Sequence, residues 1–272
     1  PRLRLAEMAP FYKSTCEELG WPLDQALLTA MEAANAAEME KLAAKLADAE
    51  TNEGETEVRE ALLARTDFLV RIGENAKAVA AHDETYKKTV AMGLRLDLLL
   101  SKVRVGLFFE DMKLALETIE KAKKLLEEGG DWERRNRLKV YEAVYFIMIR
   151  DFKKASALLL DSVATFTATE LLTYNHFVLF TVVSCIIALP RAELKSKVVD
   201  APEILQVGAP CQAVGIGIGD CTERGAFQRH LPWEWWLAYG QTSVAVDSSR
   251  VTSAFERIVV HRCCTRFLGW AG

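Results

Sequence analysis

The chain has 272 residues, of which 50% are hydrophobic and 26% are charged, so it has enough apolar side chains to bury a core. That composition excludes a wholly disordered protein. A formal net charge of −4 gives no reason to expect nucleic acid or an anionic membrane as a partner. The sequence contains no run of about 18 uncharged apolar residues, and therefore predicts no transmembrane helix.

The composition of the chain changes abruptly after residue 207. Sixteen lysines precede this point and none follows it, whereas the tail holds eight of fifteen glycines, four of six cysteines and four of six tryptophans. We therefore divide the chain into a helical lead-in over residues 1–55, helical repeats over 56–207 and a separate tail over 208–272. The first residues lack an initiator Met, and we expect the chain to start inside a longer protein.

Almost all of the sequence between residues 10 and 189 has the apolar periodicity of α-helices. The predicted helices cover residues 10–20, 24–50, 56–72, 74–92, 94–110, 111–128, 131–149, 151–166 and 167–189. Gly73 and Gly93 are placed at helix ends, because glycine adopts the left-handed backbone that closes a helix. Thr167 and Glu170 have the spacing of a capping box for the last helix. Breaks this short force neighbouring helices to pack antiparallel.

Three of the predicted turns share one pattern, in which apolar residues end a helix, an acid starts the turn and an alanine follows four residues later. The acids are Glu74, Asp111 and Asp151, and the alanines are Ala78, Ala115 and Ala155. The alanines lie 37 and 40 residues apart, near the period of about 34 residues in tetratricopeptide repeats. The pattern predicts an all-α fold, a right-handed solenoid of antiparallel, tetratricopeptide-like helix pairs.

The residues before the tail provide no set of catalytic or metal-binding groups. His82 and His176 have no partner at ligand spacing, so each is interpreted as a packed or surface histidine. Glu127 and Glu128 end a charged helix, which is typical of a solvated face. Cys16 and Cys185 sit alone in helical patterns and are predicted to be buried thiols in a reducing compartment. We predict that the chain is not an enzyme and binds no cofactor, metal or small-molecule substrate.

The tail offers only weak motifs for ligand binding. The glycine-rich stretch 215–219 lacks the preceding strand, the following helix and the Lys-Ser or Lys-Thr of a phosphate loop. The spacing of the cysteines and histidines in the tail fits no standard zinc site, so zinc binding is not expected there. These residues are Cys211, Cys221, His230, His261, Cys263 and Cys264.

One long motif carries a resemblance to a known family. Residues 127–142 read Glu-Glu-Gly-Gly-Asp-Trp-Glu-Arg-Arg-Asn-Arg-Leu-Lys-Val-Tyr-Glu, which resembles the signature of the proteasome lid subunits called non-ATPase regulatory subunit six. Similar stretches occur at residues 8–12, 71–73, 86–90, 149–153 and 165–167, so the resemblance covers about residues 8–205. Subunit one of the COP9 signalosome shares the Arg-Asn-Arg-Leu core, but the Gly-Gly-Asp-Trp and Ile-Arg-Asp-Phe stretches favour the proteasome family.

The resemblance implies helical repeats followed by a winged-helix module, the PCI domain, which assembles the lid with its sister subunits. It implies a non-catalytic scaffold subunit of the 26S proteasome regulatory particle lid, supporting ATP-dependent degradation of ubiquitinated proteins in the cytoplasm and nucleus. Other lid subunits are the implied partners, with no nucleic acid or membrane. A COP9 signalosome subunit, or a stand-alone helical-repeat adaptor that binds peptides, remains the alternative.

The resemblance ends after Val207, and the winged helix is not recognisable. A shifted reading frame or faulty gene model is our hypothesis for the tail, and a divergent C-terminus is the alternative. Because the winged helix carries the main assembly contacts in the family, we expect this chain alone to be helical but not to enter a lid stably.

The residues that follow Asp131 form the candidate protein-interaction site. They are Trp132, Arg134, Arg135, Arg137 and Lys139. On a helix, Arg134 and Arg137 share one face, and Arg135 and Lys139 share the next. The basic residues either pair with nearby acids of the same chain or contact an acidic neighbouring subunit. Trp132 is either a packing anchor between repeats or an interface hot spot.

Overall fold

The computed structural model describes residues 7–52, 54–129 and 131–205, and the regular elements of this part of the chain are all helices. The described residues form two compact units that divide between Asp131 and Trp132. The first unit contains α1 (Ala9–Leu19), α2 (Gln25–Asn52), α3 (Glu55–Ile72), α4 (Asn75–Lys88), α5 (Met92–Phe108) and α6 (Met112–Glu127). The second contains α7 (Trp132–Met148), α8 (Phe152–Ser162), α9 (Tyr174–Ala188), α10 (Arg191–Leu194) and α11 (Pro202–Leu205). A 3₁₀ turn (Val163–Thr165) and a π turn (Lys195–Val199) complete the second unit.

Helices that are neighbours in sequence pack against each other within each unit. In the first unit α3 packs on α4 and α5 on α6, and in the second α7 packs on α8 and α8 on α9. Short connections and apolar faces at helical spacing account for this arrangement, since each helix has a neighbour within reach to cover its apolar side. The prediction of an all-α, helical-repeat fold is therefore confirmed for the described residues.

The three repeated turns share one backbone geometry. The residue before each acid is left-handed, with φ of 77° at Gly73, 57° at Glu110 and 66° at Arg150. Each turn is closed by a hydrogen bond of 2.8 to 3.2 Å from the backbone N–H of the acid to the carbonyl five residues earlier. This is the Schellman geometry, which satisfies carbonyls that a helix end would leave unpaired. It occurs twice here without glycine at the left-handed position.

The acids and alanines of the repeat have different tasks in these turns. Asp111 and Asp151 cap α6 and α8, because their carboxylates accept the backbone N–H groups three residues later at 3.0 and 3.3 Å. Glu74 precedes α4 without a side-chain cap. The three alanines are all at most 1% exposed. A Cβ atom added to Gly106 would lie 3.2 to 3.3 Å from Ala115, so small residues let α5 and α6 approach closely.

Helix α1 packs against the C-terminal ends of α3 and α5 in the first unit. Met8 is fully buried, and the Phe11 ring lies 5.0 Å from the Phe108 ring and 6.3 Å from the Phe109 ring, measured between centroids. The amide of Asn35, on α2, donates to the carbonyl of Glu7 at 2.9 Å. The lead-in is therefore packed into the first unit rather than attached loosely to it.

The prediction of one helix over residues 74–92 is wrong. Helix α4 ends at Lys88, and the chain is extended at Thr89, with φ −94° and ψ 122°. The Arg95 side chain stacks on the Tyr86 ring at 5.2 Å and donates to the Thr89 carbonyl at 2.5 Å, which holds the break in place. Gly93 consequently lies in the first turn of α5 instead of ending α4.

The predicted start of the last long helix at Thr167 is also wrong. Helix α9 begins at Tyr174, and the Thr173 hydroxyl accepts the backbone N–H of His176 at 3.3 Å. The helix itself is buried as its composition predicts, with Phe177 and Phe180 fully inaccessible to solvent. Among the described helices none is both long enough and apolar enough to span a bilayer.

His82 is a packed residue of the first unit. Its Nδ1 lies 2.8 Å from the Ala78 carbonyl and its Nε2 lies 3.1 Å from the Ser101 hydroxyl. Because a carbonyl can only accept, Nδ1 carries the proton and Nε2 accepts from Ser101 in the neutral ring. Burial, together with the positive charges of Lys102 and Arg104, lowers the pKa of His82; the Ala78 carbonyl and the Asp83 carboxylate oppose this.

We expect the stability of the protein to fall as the pH drops below about 6.5, the ordinary pKa of histidine, because unfolded His82 then binds a proton that the folded ring resists. The free energy of unfolding is measured by urea denaturation at several pH values between neutral and mildly acidic. In His82→Gln it should fall less steeply with decreasing pH than in the unaltered protein. The difference has an upper limit of about 1.4 kcal/mol for each pH unit. Equal slopes for the two proteins would contradict this assignment.

Candidate protein-interaction site on helix α7

Helix α7 is buried in the core of the second unit along two adjoining faces. Leu138, Val140, Tyr141 and Val144 are all at most 4% exposed. These residues are spaced so that two adjoining faces of the helix are apolar, which requires neighbours on both. Packing against α8 therefore determines which side chains near the start of α7 point inward and which remain accessible.

Arg137 is held by a carboxylate from the loop before α9. Its Nε and Nη2 donate to Glu170 Oε1 at 3.0 and 2.8 Å, and the Tyr141 hydroxyl donates to the same oxygen at 3.1 Å. The two charged side chains are only 20% and 14% exposed. Three charge-assisted hydrogen bonds to one largely buried oxygen tie the loop to α7. Arg137 thus belongs to the interior of the unit.

Lys139 also has a partner in the same unit. Its ammonium group lies 2.5 Å from a carboxylate oxygen of Asp161, near the end of α8. The Asp161 side chain is 61% exposed, so solvent screens this pair more than the Arg137–Glu170 pair. Of the two alternatives for the basic residues, pairing with an acid of the same chain therefore applies to Arg137 and Lys139.

Trp132 and Arg135 have the opposite environment. Trp132 is 62% exposed at the first position of α7. Arg135 is exposed one turn later and makes no hydrogen bond or ion pair with any residue that the structure describes. Arg134 is half-buried and interacts within the protein. The five predicted residues therefore separate into an outward pair, Trp132 and Arg135, and three residues engaged by the fold.

Sequence reasoning missed the two residues that organise this region, Glu170 and Tyr141. Glu170 was assigned to a capping box, although it lies just before two buried leucines, Leu171 and Leu172. An acid directly before two apolar residues is a signal of a buried partner, because a carboxylate is buried only with compensating hydrogen bonds. The apolar spacing of α7 predicts that Tyr141 is buried but does not predict that its hydroxyl donates a hydrogen bond to Glu170.

Groups that could support chemistry are dispersed in the described part of the chain. No cluster of three or more His, Cys, Asp or Glu side chains suited to a metal occurs among residues 7–52, 54–129 and 131–205. Cys16 and Cys185 are buried free thiols, and burial raises the pKa of Cys185 to about 12, which keeps it protonated. Nδ1 of His176 lies 2.9 Å from the Thr173 hydroxyl, within a helix cap. The glycine-rich stretch and the cysteine and histidine set of the tail lie outside the described residues.

The fold and the α7 surface define a helical-repeat protein, a class whose stacked helix pairs commonly provide surfaces for other proteins. The chain belongs to the family described as 26S proteasome subunit RPN7, whose family model matches residues 24–197. It is 49% identical over 205 residues to the "26S proteasome non-ATPase regulatory subunit 6 homolog" of Arabidopsis thaliana, covering 75% of this chain and 53% of the relative.

Two further relatives have similar coverage. The chain is 44% identical over 201 residues to the 26S proteasome non-ATPase regulatory subunit 6 of Dictyostelium discoideum, which covers 74% of this chain and 53% of the relative. It is 33% identical over 227 residues to the 26S proteasome regulatory subunit RPN7 of Saccharomyces cerevisiae, covering 76% and 53%. The chain thus spans about half the length of these curated relatives, each of them a proteasome regulatory subunit by name.

Proposed function

We propose that this protein is a non-catalytic scaffold subunit of the lid of the 26S proteasome regulatory particle. In this role it binds other lid subunits and supports ATP-dependent degradation of ubiquitinated proteins in the cytoplasm and nucleus. The observation that carries the proposal is the family match over residues 24–197, which contains helices α2 to α10. Helical repeats suit a scaffold, since each pair presents side chains to a partner without rearranging the rest of the fold.

The proposal is tested by purifying the tagged protein from its own cells and identifying what accompanies it. We expect lid subunits among the recovered proteins, but in less than stoichiometric amounts, because the winged helix that carries the main assembly contacts in the family is not recognisable in this chain. Recovery of COP9 signalosome subunits instead, or of no lid subunit at all, would contradict a lid role. A parallel purification through a different tagged lid subunit should recover this protein in return.

Within that role, we assign partner contact to Trp132 and Arg135 and a positioning task to Arg137 and Lys139. An exposed tryptophan beside an exposed arginine combines the two residue types most enriched at interface hot spots. The guanidinium of Arg135 suits a carboxylate on a neighbouring subunit, because it can donate two parallel hydrogen bonds. The charges of Arg137 and Lys139 are already matched by Glu170 and Asp161.

We expect Trp132→Ala, or Arg135→Glu, to lower association with the other lid subunits by about ten-fold or more, in line with the loss of a hot-spot residue. Each variant of this protein is co-expressed with the other lid subunits. Incorporation is measured by native gel and quantitative mass spectrometry. Helical circular dichroism should remain unchanged, because both side chains are mainly in solvent.

Ile149→Ala is a matched control for this experiment. Ile149 lies just beyond the other end of α7 and is 42% exposed, so its truncation also removes exposed apolar surface. It should leave incorporation unchanged. Normal incorporation of both Trp132→Ala and Arg135→Glu would remove this surface from the proposed interface while leaving the family role intact.

A further inference from the structure

The loop between α1 and α2 presents a second exposed tryptophan, on the first unit. Trp21 is 62% exposed, and the leucines two positions before and after it, Leu19 and Leu23, are 54% and 37% exposed. Three large apolar side chains within five residues are thus largely in water. Clustered apolar exposure of this kind is typical of a surface that another molecule covers.

The loop is fixed at both of its ends. At the first end, Gly20 adopts φ of 64° and the backbone N–H of Trp21 donates to the Cys16 carbonyl at 3.0 Å. At the second, the backbone N–H of Asp24 donates to the Tyr12 hydroxyl at 3.2 Å. The Asp24 carboxylate also caps α2 by accepting two backbone N–H groups at 3.1 and 3.2 Å. A loop that is already ordered loses little conformational entropy when it binds.

The charged residues next to the loop in sequence are mainly acidic. Glu17, Glu18 and Asp24 are all exposed, and Lys13 is the one basic residue in the sequence from 13 to 25. A partner that covers Trp21 must therefore approach three carboxylates. Complementary charge favours a basic partner and raises its rate of encounter.

We propose that residues 19–24 dock a basic segment of another protein, with an apolar side chain against Trp21 and lysine or arginine side chains facing Glu17, Glu18 and Asp24. A second copy of this chain is disfavoured, because a symmetric contact would bring two identical acidic loops together. Anionic lipid and nucleic acid are disfavoured by the same repulsion. The inference rests on the first unit alone and does not depend on a lid role.

The test uses the full chain and two short fluorescent peptides that form amphipathic helices, each with leucine on one face. One carries lysine on its polar face and the other carries glutamate. By fluorescence anisotropy we expect the lysine peptide to bind, with affinity falling about ten-fold or more in Trp21→Ala. The double variant Glu17→Lys/Glu18→Lys should weaken binding as well, and added salt should do the same.

Val90→Ala is the matched control, because Val90 is an apolar side chain of the same unit that is 80% exposed, and it should leave binding of the lysine peptide unchanged. Three results would overturn the proposal. The first is equal binding by Trp21→Ala and the unaltered chain. The second is equal or tighter binding of the glutamate peptide or of phosphatidylserine vesicles. The third is a dimer in sedimentation that disappears in Trp21→Ala, which would identify a second copy as the occupant.

Discussion

Replacing Glu170 with alanine should lower the free energy of unfolding by about 3 kcal/mol, because it removes the carboxylate that accepts two hydrogen bonds from the largely buried guanidinium of Arg137. The hydrogen bond from the Tyr141 hydroxyl to the same carboxylate is lost in the same step. The loss is measured by urea unfolding followed by helical circular dichroism. The size of the effect follows from burial, since water replaces the missing oxygen only partly where the paired side chains are 20% and 14% exposed.

Asp161→Ala is the matched control for this prediction. It breaks the ion pair of Lys139 on the same helix, but at a carboxylate that is 61% exposed. We expect a loss below about 1 kcal/mol, as for other surface ion pairs. The double variant Arg137→Leu/Glu170→Ala should recover part of the stability that Glu170→Ala loses, because it removes the buried positive charge together with its carboxylate. Equal losses for Glu170→Ala and Asp161→Ala would contradict the burial argument.

Gly73→Ala should lower the free energy of unfolding by about 3 kcal/mol, from two independent causes. The backbone at Gly73 is left-handed, with φ of 77°, where a Cβ atom is sterically strained. The added Cβ would also lie 2.9 Å from the Phe11 Cβ and 3.2 Å from the Met8 Cε, so α1 must shift to make room. Thermal and urea unfolding measure the loss directly.

The homologous turn between α5 and α6 provides the contrast. Glu110 occupies the same left-handed position, with φ of 57°. Glu110→Gly relieves the strain of a side chain there but makes the unfolded chain more flexible, so stability should stay the same or rise by up to about 1 kcal/mol. A loss in Glu110→Gly as large as that in Gly73→Ala would show that the shared turn geometry does not control the stability of these turns.

The sequence determined the class of fold and the repeated turn by local chemistry alone. Apolar spacing of three to four residues predicts helices wherever they occur, and an aspartate before an apolar run caps a helix through its own neighbours, as Asp111 does. An alanine one turn later is buried for an equally local reason, since close helix approach requires a small residue. The motif around Trp132 likewise pointed to the family that the comparisons show.

Helix boundaries depended on which of several possible helix ends and caps the tertiary contacts stabilise, and the sequence alone does not show this. Gly73 and Gly93 look alike in a helical pattern, yet only Gly73 ends a helix. The helix before Gly93, α4, ends ahead of Thr89, whose backbone carbonyl accepts a hydrogen bond from Arg95 of α5. By their sequence, Thr167 and Thr173 could each cap the helix. In the structure Thr173 caps α9, whereas Glu170, the predicted capping-box partner of Thr167, accepts a hydrogen bond from Arg137 instead.

The tertiary structure alone decided which of the predicted interface residues are accessible. Arg135 and Arg137 are two positions apart and chemically identical, but Glu170, 33 residues further along the chain, engages only Arg137. Lys139 finds its acid 22 residues away. A sequence fixes the residue types and their order along a helix, whereas a charge is buried, paired or free according to what distant segments place beside it. For that reason only two of the five predicted residues, Trp132 and Arg135, are exposed.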